Sequence, residues 1–125
     1  MIVEVQNKLL ILFLLLVMGV IYKQIEVKFS GLELVDELRG TISHATKVLC
    51  RDFVREYPSV VGTGVPQRGE PTFYARRHPR DSQLDIDRSL REQFNLLRTV
   101  DSEHYPAWFE FANKRFWLKI KKLDT

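Results

Sequence analysis

The fourteen residues Leu9–Tyr22 carry no charge and no strongly polar side chain, and no other stretch limits the chain's folding choices as much. A helix over this run would rise about 21 Å at 1.5 Å per residue. That falls short of the roughly 30 Å hydrocarbon core of a bilayer. Lys8 and Lys23 flank the run, and their long stems carry charge out to the headgroups. Val5 and Ile25 lie beyond the two lysines and stretch the apolar span to a length that crosses.

A soluble core helix shows a polar face, and this run shows none. A cleaved signal peptide needs a basic leading region and small residues at the cut. Only Lys8 and the amino terminus are basic, Glu4 offsets one of them, and Val17–Gly19 is a poor cleavage site. The reading is therefore a retained single-pass membrane anchor over residues 1–24, meeting lipid through residues 5–25. Cleavage would instead leave a secreted or periplasmic protein. Lys23, Lys28 and Arg39 outnumber Lys8, which favours a cytoplasm-facing or matrix-facing remainder.

The remaining hundred or so residues suffice for one small core. At 45% hydrophobic and 28% charged, the chain is not of disordered composition. Its net charge of +3 is too small for a nucleic-acid binder. The single cysteine, Cys50, excludes an intramolecular disulfide.

Ile25–Phe29 alternates apolar and charged residues, the period of a strand. Ser30 and Glu33 then form a capping-box pattern. Leu32, Val35, Leu38, Ile42, Ala45, Leu49 and Phe53 follow at helical spacing. Pro58 ends that helix by disfavouring helical geometry at Tyr57. Residues 57–81 form a long loop with four prolines and three glycines, in which Thr72–Ala75 is a candidate short strand. A second amphipathic helix is expected from Ser82–Asp85, another capping-box-like pattern, through Leu84, Ile86, Leu90, Phe94, Leu97 and Val100. The tail alternates best as a hairpin, with "AWFEF" and "RFWLKIK" on either side of "ANK".

The expected fold is α+β. An N-terminal transmembrane helix precedes a small membrane-proximal domain, residues 25–125, with two amphipathic helices and a few strands including the C-terminal hairpin. The alternative is a mostly α chain whose tail lies as an interfacial helix.

No residue pattern signals catalysis. His44, His78 and His104 have no metal-ligand spacing with each other or with Cys50. Gly62–Gly69 resembles a phosphate loop only superficially, lacking the G-K-[ST] ending. Asp85, Asp87 and Glu92 read as charge at a helix N-terminus. No catalytic, cofactor or metal residue is assigned, and no small-molecule substrate is evident.

The partner-binding candidates are cationic. Arg76, Arg77 and Arg80 form the densest basic cluster, with Arg68 earlier in the same loop, and Lys119, Lys121 and Lys122 lie among the tail's aromatics. Arginine forks grip carboxylates bidentately. The expected role is a non-catalytic, membrane-localised accessory or structural subunit of a larger assembly, such as a secretion, respiratory, division or viral-envelope complex. A membrane-tethered sensing or ligand-binding module is the alternative, and a small enzyme the third reading.

Overall fold

A computed structural model describes the backbone of residues 2–5, 8–17 and 19–123 and the side chains from residue 19. It divides into two compact units, Met1–Gly31 with Asp36–Thr72, and Leu32–Val35 with Phe73–Thr125.

In the first unit the expected transmembrane helix is replaced by strands. β1 (Ile2–Val5), β2 (Lys8–Val17), β3 (Val20–Phe29) and β4 (Val65–Pro66) make an antiparallel sheet in that order. β2 and β3 pair from Leu9↔Phe29 to Val17↔Val20. The apolar run is thus two strands, parted at Gly19, whose φ of +78° suits glycine. The physical reason is that an unbroken apolar stretch has no period of its own. It fits a buried strand as readily as a buried helix, and Val20, Ile21 and Tyr22 favour the strand. No helix among the described residues is long and apolar enough to cross a membrane. The parts of the anchor expectation that rest on Met1, Gln6, Asn7 and Met18, with the Val17–Gly19 cleavage alternative, lie outside the described residues.

β3 shows the alternation directly. Ile25 and Val27 are half-buried and Phe29 is buried, while Gln24, Glu26 and Lys28 are exposed. α1 (Val35–Glu56) turns Ala45 and Leu49 into the core, with Leu38, Ile42 and Phe53 half-buried on the same stripe. The Tyr22 and Phe53 rings meet edge to face at 5.6 Å, and Lys23 pairs with Glu56 at 2.6 Å. The chain then crosses β3 closely at Gly64. A Cβ there would stand 2.6 Å from Val20 Cγ1 and 2.9 Å from Tyr22 Cε1, so only glycine fits.

The long loop is partly structured. It holds 3-10 turns at Ser59–Thr63 and Pro79–Ser82 and contributes β4. Thr72–Ala75 is not a strand, and Phe73 and Tyr74 are 89% and 88% exposed. The two units divide inside this loop, between Thr72 and Phe73.

The second unit contains α2 (Leu90–Thr99), β5 (Ala107–Phe111) and β6 (Lys114–Leu118). α2 starts seven residues beyond Gln83, at the second of two similar patterns. Ser89 caps it, accepting from Glu92 N at 3.2 Å while Glu92 Oε2 accepts from Ser89 N at 3.2 Å. Ser82 is fully buried and its hydroxyl donates to Tyr105 O at 2.9 Å, so it is not a helix cap. Asp85 is held outside the helix as well. Its N–H donates to Gln93 Oε1 at 2.6 Å, and its carbonyl accepts from Gln93 Nε2 at 2.9 Å.

β5 and β6 form a hairpin, which replaces the alternative of an interfacial C-terminal helix. Its turn is two residues, Ala112 and Asn113, with φ of 50° and 61°, rather than the three of "ANK". Such left-handed pairs match the twist of the flanking strands. Leu84, Leu97, Val100 and Ala107 form the core, joined by Leu96, Phe109, Leu118 and Ile120. Arg98 is buried beside it and satisfied, donating from Nη1 to Glu33 O at 2.9 Å and from Nε to Asn95 Oδ1 at 2.8 Å.

Candidate functional site

Residues directly opposite in an antiparallel pair share a face, and successive residues alternate. The hairpin register Ala107↔Leu118, Trp108↔Trp117, Phe109↔Phe116, Glu110↔Arg115 therefore sorts its side chains. Ala107, Phe109 and Leu118 belong to the core-facing set. Trp108, Trp117, Glu110 and Arg115 share the other face. Trp117 is 71% exposed there, a large apolar surface left in water.

This open face is firmly built. Trp108 Nε1 donates to Pro79 O at 2.9 Å, and the Trp108 carbonyl accepts from Leu84 N at 2.7 Å. Gln83 bridges Trp108 in the parallel sense. Arg115 lies with its guanidinium carbon 4.9 Å from the Trp108 ring centroid, a cation–π contact. Its Nε donates to Glu110 Oε1 at 2.9 Å. The terminal guanidinium nitrogens have no hydrogen bond among the described residues.

Beside these rings lies an open cavity of about 300 Å³. It is lined by Trp108, Phe116 and Trp117, by Pro79, Tyr105 and Pro106, and by Arg115 and His104. His104 is positioned by Asp101. Its Nδ1 lies 3.1 Å from Asp101 Oδ2, while Asp101 Oδ1 accepts from the N–H groups of Glu103 and His104 at 3.0 and 3.1 Å. The second imidazole nitrogen has no hydrogen bond among the described residues. The arrangement can stack a flat ring and offer hydrogen-bond donors at the ring's edge.

The cationic candidates are not gathered at this cavity. Arg68 is in the first unit, beside a shallow cleft with Gly19, Gln67 and Glu70. Arg76, Arg77 and Arg80 are exposed in the second unit. Arg77 Nη2 reaches Asp81 O and Ser82 Oγ at 3.4 Å. Arg80 borders a separate polar depression with Gln83, Asp85 and Glu110. Lys119, Lys121 and Lys122 are exposed beyond the end of β6. His44 and Cys50 are exposed on α1. No group of three metal-ligating residues occurs among the described residues.

Sequence reasoning did not single out His104 and Tyr105 as partners of the tryptophans, nor pair Arg115 with Trp108. The signal for Arg115 was present: a two-residue turn at Ala112–Asn113 sets Trp108 opposite Trp117 and Glu110 opposite Arg115. Pro79, His104 and Tyr105 arrive from distant segments, for which no local pattern exists.

No family model matches the sequence. Among solved structures, the chain is similar to methionyl-tRNA formyltransferase from Clostridium thermocellum, with a TM-score of 0.56 and 22% identity over 94% of this chain. The match takes in 52% of that structure, so the chain spans about half its length. The likeness is one of fold.

Proposed function

We propose that the chain is a non-catalytic, substrate-holding part of a group-transfer assembly of the formyltransferase type. The observation that supports this reading is the fold likeness, which takes in nearly all of the chain but about half of a formyltransferase. Holding a reactant in the right geometry is itself a large contribution to a transfer reaction, because it removes translational and rotational freedom before the chemical step. The rigid hairpin with its aromatic cavity is suited to that work. The chemical step would belong to other residues of the assembly. A single-pass helical anchor has no part in this proposal.

A second reading is an accessory subunit that docks a protein partner without any transfer reaction. The observation favouring it is the exposed segment in which Phe73 and Tyr74 precede Arg76 and Arg77. Apolar anchors beside arginines are common in interface centres.

The test is isolation of affinity-tagged full chain from its native cells, followed by assay with a formyl donor. Methionyl-tRNA, the acceptor named by the similar structure, is the first acceptor to try. Formyl transfer is expected in the isolated assembly and not in the chain purified alone. Transfer by the chain alone would make it an enzyme. An assembly without transfer activity on any amine acceptor would leave the docking reading in its place.

A further inference from the structure

We infer that the hairpin cavity is a mononucleotide site, with the base stacked against Trp117 and the phosphate held by Arg115 and His104. The inference stands on the hairpin's geometry and does not depend on the formyl-transfer reading.

Three features select this ligand class. The walls are aromatic and proline surfaces around about 300 Å³, the lower end of small-molecule sites, enough for one ring system. Trp117 contributes a face that is 71% exposed and serves no core. Aromatic faces of this kind hold nucleobases by stacking. The charged side chain lining the cavity is the Arg115 guanidinium, which disfavours a quaternary ammonium ligand. Arg115 already occupies the Trp108 face as the cation of that ring.

The donors are prepared for an anion. Glu110 takes only Nε of Arg115, and the Trp108 ring supports the guanidinium plane. The terminal nitrogens are left as a fork, the geometry that grips phosphate bidentately. Asp101 holds His104 through Nδ1, leaving the other ring nitrogen as the second phosphate contact. While the tail's aromatic residues interleave with basic ones, the mild net charge does not indicate such a ligand. Its signal is the register that stacks Arg115 on Trp108 beside Trp117.

The same phosphorylated base exists as a free mononucleotide and as a unit of single-stranded RNA, and the proposal commits to the free form. Trp108 and Trp117 are the chain's two tryptophans, so its tryptophan emission reports on this hairpin. Titration of the full chain with AMP and with UMP should quench that fluorescence saturably. Adenosine should bind more weakly than AMP, because it lacks the phosphate.

Calorimetry on variants completes the test. Trp117→Ala should weaken AMP binding by at least about fivefold, the range of one lost base stack. Arg115→Gln should bring AMP down toward the affinity of adenosine. Urea unfolding checks that both variants remain folded. Absence of saturable AMP and UMP binding would overturn the site, as would an unchanged affinity in folded Trp117→Ala. A ten-nucleotide RNA that binds tenfold more tightly than AMP would overturn the free-nucleotide assignment.

Discussion

The two faces of the C-terminal hairpin both carry large rings and serve opposite purposes. On one, Ala107, Phe109 and Leu118 close over Leu84, Leu97 and Val100. On the other, Trp108 and Trp117 flank Arg115 and border an open cavity. Large rings do not distinguish them, since both faces carry them. What separates them is register: a strand's side chains alternate, so one residue of slippage would exchange the faces. Aromatic residues in a short tail are therefore evidence of a core or of a ligand surface only once the turn is known.

The largest expected effect tests the closed face from the side of α2. Leu97→Ala should destabilise the second unit by about 2–5 kcal/mol, because Leu97 is buried in the core and its loss leaves a cavity. Urea unfolding followed by circular dichroism measures this. A smaller change would mean that the hairpin collapses onto α2 and fills the gap.

A middle-sized effect tests the register itself. Asn113 sits at φ 61° in the hairpin turn, a conformation that β-branched residues resist. Asn113→Val should cost roughly 1–3 kcal/mol, whereas Asn113→Gly should be close to neutral. If Asn113→Val instead keeps full stability, the turn is not the device that fixes the two faces.

The smallest effect on stability belongs to the arginine cluster. Arg76→Ala, Arg77→Ala and Arg80→Ala combined should change unfolding by no more than about 0.5 kcal/mol, as exposed loop residues do. Arg77 makes only long contacts, at 3.4 Å. Co-purification of the assembly across a salt series should weaken in this variant, most clearly at low salt where screening is least. Unchanged recovery at every salt concentration would remove these arginines from the contact surface and leave the hairpin's open face as the place to look.

What the sequence made legible follows from how local each signal is. The stripe Leu38, Ile42, Ala45, Leu49 and Phe53 needs only a helical period, and it forms α1 as that period implies. The alternation around Phe116 and Leu118 needs only a period of two, and it forms β6. The run Leu9–Tyr22 has neither period, and its reading as a membrane-spanning helix was wrong. Its division at Gly19 and its pairing with Val20–Phe29 are decided by partners, not by its own pattern. The second helix shows a different ambiguity. Ser82 and Ser89 both head plausible capping patterns, and burial of the Ser82 hydroxyl against Tyr105 O, 23 residues away, removes the first from contention. The cationic candidates were legible as charge but not as a site. The cavity borrows Pro79, His104 and Tyr105 from segments that meet the hairpin only in the folded unit.

The measurement that tests the division of the hairpin most directly is a paired urea titration of Phe109→Ala and Trp117→Ala. The two residues sit on adjacent strands and on opposite faces. Phe109 packs on the core, so its loss should cost about 3 kcal/mol or more. Trp117 is largely in water, so its loss should cost no more than about 0.5 kcal/mol. Equal losses in the two variants, or a larger one for Trp117→Ala, would contradict the account and make the tryptophan face a second core.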